Sequence, residues 1–375
     1  MTLRVRCLIP DELGANDQAR WAALAQASGG HSVFAEPWFM RSSLAHCCGD
    51  TDVRLAVVED DYGRWVGAMP ITHADKHGRL PMPHARVWRH ANQFEAPLLV
   101  RQGQATDFWA AMLRGLARLY PRRVAFSLDQ LPRDDRQTQA LLDLCERQRR
   151  EVVIDRSHER PVLVRCPDAP QPQPSAKHRA RIRSLARRIE RELGPLSLVV
   201  TRDAEEIAAQ CNAFLALEAS GWKGRAGSAL SACLSTEAFF RSTLNEGTRR
   251  EAFEMAQLIA GGQTIAISTM LIGPRGRYGF KSAFDERYAA LGPGTVLLAR
   301  YTDYLLENEV GMADSCCDSE GQPVGRLWPS RREFVDLRIP IGGLRRTAFH
   351  ALAKAQAIRA RLRSAPSDES VLHGG

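Results

Sequence analysis

The sequence lacks any apolar run approaching the roughly 18 residues that a membrane span needs, and its first residues, MTLRVRCLIPDELGAND, hold no core long enough for a secretory signal. These absences lead to the expectation of a cytoplasmic protein without a transmembrane segment. Nine cysteines occur, an odd number, with adjacent pairs at Cys47-Cys48 and Cys316-Cys317. There is no CxxC and no His-Cys group at zinc spacing, so reduced, mostly buried thiols are expected and no metal. His73, His77 and His84 fall in a stretch rich in Pro, His and Gly, Thr72 to Arg89, which reads as loop, and His90 follows it directly. Their irregular setting points to exposed loop histidines rather than to a metal cluster.

What is present is an ordinary globular composition, 44% apolar and 25% charged over 375 residues, long for one domain and comfortable for two. The formal charge of +8 suits an anionic partner, and it is unevenly spread. Between Ala176 and Leu193 seven basic residues, Lys177, Arg179, Arg181, Arg183, Arg187, Arg188 and Arg191, face only Glu190 and Glu192. The same segment carries Ile182, Leu185, Ala186, Ile189 and Leu193 as one apolar stripe, so it reads as a helix packed on one side. Ahead of it the Pro-rich PDAPQPQPS, residues 167–175, reads as a linker.

On either side of that linker the order of elements repeats. Strand-like Leu3 to Ile9, helices at Asp17 to Ala27 and Phe34 to Ala45, and a hairpin of Val53 to Val58 with Trp65 to Ile71 come first. A helix at Ala105 to Leu119, a strand at Arg123 to Leu128, a helix at Asp134 to Arg149 and strands near Val152 and Val162 complete the first half. The second half begins again with strand Leu196 to Thr201, helices Ala204 to Leu217 and Thr236 to Asn245, and strands Phe253 to Ile259 and Thr264 to Ile272. Each half therefore runs strand, two helices, then antiparallel strands, an α/β (α+β) pattern. The expected domains are 1–166, 176–343 and a basic C-terminal helix and tail, 344–375.

The most informative stretch is Tyr278 to Asn308, YGFKSAFDERYAALGPGTVLLARYTDYLLEN. A strand leads through a polar loop to Gly292-Pro293-Gly294, and apolar residues then recur at helical spacing, with Thr295 as the expected cap. The first amides of a helix lack partners and carry partial positive charge, so they can hold a phosphate. Proline has no amide, which leaves Gly294, Thr295 and Val296 as donors. An ordinary helix start after a turn is the alternative.

These residues resemble the GNAT acyltransferase superfamily, in its CelD-like branch related to the Fem transferases. The resembling stretches are Ser175 to Gly194, FLALEASGWKGRAGSAL (Phe214 to Leu230), Gly279 to Leu305 and the return from Asp314 to Trp328, with Ser32 to Leu44 and Asn92 to Val100 in the first half. The resemblance implies tandem duplicated GNAT-like domains, each a mixed, mostly antiparallel sheet flanked by helices. It also implies that the second binds acetyl-CoA or another acyl-CoA and passes the acyl group to an amine, of a small molecule or a sugar. The family places the cofactor pyrophosphate on a Q/R-x-x-G-x-G/A turn. Here Gly292 and Gly294 fit, Ala289 stands at the leading position, and Arg287 is the nearby charge that can replace it. In the return, Asp314, Gly321 and Trp328 match the CelD-like pattern, whereas Val324 and Gly325 stand where Tyr and Lys are expected.

Aminolysis of a thioester needs a neutral amine, hence a base, and a donor for the developing oxyanion. Glu218 and Asp285 are the candidate bases. Family likeness puts the oxyanion donor on the backbone of the strand at Lys281, Ser282 and Ala283, and Tyr288 is the candidate acid for the departing thiolate. Trp222 and Lys223 either line the acceptor pocket or hold their loop down. Lys281, if buried, is expected to pair with Asp285 or Asp314. Two other readings remain open. The basic helix suits a Fem-like transferase using aminoacyl-transfer RNA, and the altered motif positions suit a non-catalytic scaffold of an envelope polysaccharide system. The tail from Leu344 to Arg363 either packs as a helix or rests on an acidic membrane surface.

Overall fold

The computed structural model describes residues 2–78, 80–165, 174–317, 323–341, 347 and 349–351. Most of the expected linker, Gly321 of the return motif and nearly all of the C-terminal tail lie outside the described residues. In the first half β1 (Arg4–Leu8) is followed by α1 (Ala15–Ala27) and α2 (Pro37–Cys47), then β2 (Arg54–Glu59), β3 (Trp65–His77), β4 (Leu80–Val87) and the short β5 (Leu99–Val100). Next come α3 (Ala105–Leu119), β6 (Ala125–Pro132), α4 (Arg136–Arg147) and β7 (Val153–Val164). The second half opens with the basic helix α5 (Ala176–Leu193), then β8 (Leu196–Thr201), α6 (Ala204–Ser220), α7 (Trp222–Arg225) and α8 (Leu234–Thr248). It continues with β9 (Phe253–Ala260), β10 (Gln263–Gly273), β11 (Gly276–Phe284), α9 (Pro293–Glu307), β12 (Met312–Asp314), α10 (Val324–Leu327) and β13 (Ser330–Pro340).

All the strands join one mixed sheet in the order β1-β2-β3-β4-β6-β13-β7-β12-β11-β10-β9-β8, with β5 beside β3. Neighbours are antiparallel except at two places, β4 with β6 and β11 with β12. The parallel pair recurs once per half because a helix, α3 or α9, carries the chain across between its two strands. The duplicated element order expected from the sequence is thus present. The last strand, β13, does not extend the second half's edge: it lies between β6 and β7 of the first half, while β7 pairs with β12 of the second.

The halves are also fused through side chains. Phe34, Trp38 and Phe39, in and before α2, pack in one core with Phe214, Phe239, Phe240 and Phe280 of the second half. Helices α2 and α8 lie side by side, with Ser42 Oγ 2.9 Å from Ser242 Oγ and Arg41 paired to Glu246 at 3.3 Å. Beneath the junction Glu95, Arg160, Asp314 and Arg332 form a buried charge cluster. Arg332 Nη1 donates to Glu95 Oε1 at 2.9 Å, and the Arg160 guanidinium stands 3.5 Å over the Phe334 ring.

Several local expectations change. Most of the stretch expected as loop is strand, since β3 runs to His77 and β4 (Leu80–Val87) returns along it. Pairing of β4 with β6 begins only at His84, past Pro81 and Pro83, so those prolines do not interrupt that ladder. His84 is buried, with Nδ1 bonded to the Met82 carbonyl, and His90 packs against Phe39, Trp88 and Phe239. Neither is an exposed loop histidine. Burial pushes the His90 imidazole down to about 3, with Lys281 and Arg89 adding to the effect. The expected helix from Phe34 starts instead at Pro37, after a single turn over Val33–Ala35. No helix among the described residues is long and apolar enough to cross a membrane.

Candidate active site

The open feature of the second half begins where β11 leaves β12. The two strands pair only through Arg277 with Ala313 and Tyr278 with Asp314, and β11 then continues to Phe284 without that neighbour. At the fork, a β-carbon on Gly279 would stand 2.6 Å from the Ser315 carbonyl oxygen, so only glycine fits there. One residue on, the register with β10 slips between Thr269 and Met270, which leaves Phe280 as a bulge. The Thr269 hydroxyl fills the gap: Lys281 N–H donates to Thr269 Oγ1 at 3.0 Å, and Oγ1 donates to the Lys281 carbonyl at 3.1 Å. Since N–H and C=O groups of one residue leave a strand on the same side and alternate along it, those of Ser282 face the open edge. The Ser282 carbonyl accepts from Lys223 Nζ at 2.8 Å, and its N–H points into the cleft.

A cavity of about 600 Å³ occupies this cleft. Its walls bring together Glu218, Trp222, Lys223, Lys281, Ser282, Ala283, Gly292, Gly294, Thr295 and Trp328, all singled out from the sequence. The structure adds Glu286, Tyr301, Cys316 and Cys317. None of these four carried a distinguishing signal, because each enters the cavity through the packing of a separate element.

Glu218 is 3% exposed at the end of α6, where helical spacing turns it inward. Its Oε1 accepts from Lys223 Nζ at 2.8 Å and its Oε2 from the Leu230 amide at 2.8 Å. Both oxygens are therefore engaged, and the pair ties the α6–α7 corner to β11. Glu286 holds the same corner from the other side, accepting from the Trp222 amide at 2.5 Å and from Arg225 at 2.6 Å. These bonds, from Arg225 first, keep the Glu286 carboxyl below its usual range. Trp222 itself is 55% exposed at the rim.

Helix α9 starts at Pro293, with Gly292 as its cap in the left-handed region (φ 62°, ψ 46°). Thr295 is therefore inside the first turn and is not the cap. A β-carbon on Gly292 would stand 3.2 Å from Leu185 of α5, so the basic helix packs directly on the turn. The Thr295 and Val296 amides donate to the Gly292 carbonyl at 3.0 and 3.2 Å, which leaves the Gly294 amide as the donor without a partner among the described residues. Val296 is fully buried in the core and does not line the cavity.

Four other expected residues stand away from the cleft. Asp285 is bound to Arg287 through both carboxylate oxygens, at 2.6 to 3.0 Å, and that pairing holds its carboxyl below the ordinary range. This explains why neither the Asp285 base nor the free Arg287 charge materialises, since each neutralises the other. Tyr288 donates to Gln263 Oε1 at 3.4 Å, outside the cavity. Asp314 is fully buried in the junction cluster, where Oδ1 accepts from the Cys316 amide at 2.8 Å and Oδ2 lies 3.6 Å from Arg160. It fixes Cys316 in the left-handed region (φ 54°) and makes no wall.

Lys281 pairs with neither aspartate. Its Nζ donates to Asn92 Oδ1 at 2.5 Å, across the junction from the first half. Burial, and then the Lys223 charge, push its ammonium down to about 8, with Glu218 partly offsetting them. Trp328 is buried, its Nε1–H donating to Thr302 Oγ1 at 2.9 Å, and presents a flat wall to the cavity. Among the described residues no group of three His, Cys, Asp or Glu is placed to hold a metal ion.

No curated protein matches the sequence. Among solved structures, FemX is similar over 90% of this chain and 98% of its own, at 9% identity and a TM-score of 0.54. The L-PGS of Bacillus licheniformis is similar over 95% of this chain and 97% of its own, at 12% identity and a TM-score of 0.52. The tandem GNAT protein from the clavulanic acid biosynthesis pathway aligns over 91% of this chain and 99% of its own, at 18% identity and a TM-score of 0.44. Residues 176–321 match the family model described as Acetyltransferase (GNAT) domain.

Proposed function

We propose that the second half is an acyl-CoA-dependent N-acyltransferase that moves an acyl group, acetyl in the simplest case, from the thioester to an amine. The observation that carries this reading is the edge of β11 beyond Tyr278, which has no strand neighbour among the described residues and turns the Ser282 N–H toward a cavity that ends at the Gly292–Gly294 helix start. An extended thioester arm can bond to such an edge as an added strand would, and the anionic end of the donor meets the Gly294 amide at the positive end of α9. The Ser282 N–H then stands ready as the oxyanion donor. Trp222 and Lys223 border the acceptor side, and Glu218 acts by holding Lys223 in place. A donor of this kind puts the protein in the cytoplasm. An amino sugar of an exopolysaccharide is the acceptor class favoured by the CelD-like stretches.

Isothermal titration with acetyl-CoA and with desulfo-CoA tests the reading. Micromolar binding of both supports it, and no binding of either removes it. A second reading, an aminoacyl group taken from transfer RNA, is favoured by one observation, the exposed arginine face of α5 beside Gly292. Salt-sensitive binding of transfer RNA without acetyl-CoA binding would replace the first reading with the second.

A further inference from the structure

Lys281 stands out among the cavity residues because it is a half-buried amine with an amide for a partner. Buried lysines ordinarily carry a carboxylate partner or lose their proton. Among the described residues Lys281 has no ion pair, and its Nζ is bonded to Asn92 Oδ1, which is neutral. Every charged or titratable group near it has another partner or the wrong sign to hold the proton. From α7, Lys223 adds a like charge and is itself bound to Glu218 and to the Ser282 carbonyl. From α6, Glu218 spends both oxygens on Lys223 and the Leu230 amide. From the first half, His90 is half-buried, stays neutral and bonds to Ser43 Oγ at 3.1 Å. The remaining neighbours are the Phe94 and Phe280 rings, about 6 Å away.

We infer that Lys281 is the general base of the transfer proposed above, and that Asn92 of the first half keeps its amine oriented. The inference rests on that acyl-CoA reading. Lys281 lines the cavity and precedes Ser282 directly, so base and oxyanion donor lie on the same short run of β11. In the step, the acceptor nitrogen forms a bond to the thioester carbon and its proton passes to the Nζ lone pair. The C–S bond breaks with its electron pair on sulfur, and the Lys281 ammonium returns the same proton to the thiolate. The products are the amide and free CoA thiol, and no further reactant is needed. A lysine that titrates near 8 is matched to this work, because a useful fraction is neutral at neutral pH and its conjugate acid is strong enough to give the proton back. The arrangement also gives the first half a catalytic part, through the loop that carries Asn92.

The test uses the full chain with acetyl-CoA, following loss of the thioester with either methylamine or hydroxylamine as acceptor. Both are small enough to enter any acceptor pocket, and hydroxylamine is already unprotonated at neutral pH. Lys281→Met is expected to bind acetyl-CoA as the parent does and to lose methylamine transfer by about 100-fold or more. Its hydroxylamine reaction should fall by much less, about tenfold, because that nucleophile arrives already neutral and needs Lys281 only for the proton it sheds on bonding. Asn92→Asp, which sets a carboxylate against Nζ, should move the alkaline rise of the rate from near pH 8 upward by about one pH unit. A merely structural contact would not move it. Equal transfer by parent and Lys281→Met, equal loss of both nucleophiles with acetyl-CoA still bound, or an unmoved pH profile in Asn92→Asp each overturns the role of Lys281. A parent that binds acetyl-CoA and accelerates neither nucleophile also overturns it. A parent that does not bind acetyl-CoA overturns the acyl-CoA reading itself, and the inference with it.

Discussion

In the first half, β4 pairs with β6 from His84 to Arg86 and ends one residue later at Val87, whereas in the second half β11 parts from β12 after Tyr278 and runs on to Phe284. The strand order around these two parallel pairs is the same. What differs is the connection to the following helix. After β4 the chain spends residues 88–98 folding back over its own sheet, burying Trp88, Gln93, Glu95, Ala96 and Leu98 before β5 and α3. Gln93 Nε2 donates to the Phe34 carbonyl, and the Ala96 amide to Gln130 O, which locks this loop down. After β11 only one tight turn, Glu286–Leu291, precedes Gly292 and α9. A long connection covers the fork in one half, and a short one leaves it open in the other. The covering loop then serves the open site, since it delivers Asn92 to Lys281.

The strongest way to break the comparison is to separate the halves. Arg160→Met leaves Glu95 and Asp314 buried with one fewer cation and is expected to cost about 3–5 kcal/mol. Because β13 and the aromatic core are shared, urea melts followed by tryptophan fluorescence and by circular dichroism should shift together in a single transition. Two resolved transitions would mean that the halves fold independently.

Next in size is a pH effect confined to the open half. Lys281 is held well below its ordinary 10.5, so the folded state disfavours the charged amine. Removing that charge with Lys281→Met should raise stability by roughly 3 kcal/mol at pH 7. Below pH 8 the amine is charged in both the folded and the unfolded chain, so the gain is full there. It fades as pH rises from 8 to 10.5, where the unfolded lysine alone still holds its proton. Thermal melts of parent and variant across that range measure it, and a gain that grows with pH would contradict the assignment.

A matched pair of substitutions sharpens the comparison at the helix starts. Gly294 is the second residue of α9 and lines the cavity, and Thr106 is the exposed second residue of α3. Gly294→Trp should weaken acetyl-CoA binding by about 100-fold, close to 3 kcal/mol, while Thr106→Trp leaves it unchanged. Calorimetry on the two variants reads the difference, and equal losses would place the ligand elsewhere. The smallest expected effect is at the rim. Glu286→Gln weakens the hold on the Trp222 amide and Arg225, and should lower acyl-CoA or acceptor affinity by a few-fold with little change in melting temperature.

Much of the fold was legible because the apolar spacing of α5 and α9 and the apolar runs of β9 and β10 are local properties. The fork residues were legible for a related reason: Gly292, Gly294, Lys281 and Ser282 lie in one continuous stretch. The β3–β4 hairpin was hidden by its Pro and His content, since a strand tolerates prolines wherever its partner begins beyond them. Asp285 and Arg287 were misjudged because two opposite charges two residues apart in a turn satisfy each other before either can serve a ligand. The contact of Asn92 with Lys281 could not be found, the two being far apart in sequence and brought together only by the junction.

By itself the sequence determined the repeated order of strands and helices, the glycine turn ahead of α9 and the apolar stripe of the basic helix. Each depends on neighbours within a few turns of chain. Only the tertiary structure decided that β13 is inserted between β6 and β7, that one fork is filled and the other open, and that Lys281 faces an amide rather than a carboxylate. Those outcomes depend on which distant surfaces bury one another, and burial sets both the room in a cleft and the charge a lysine can keep.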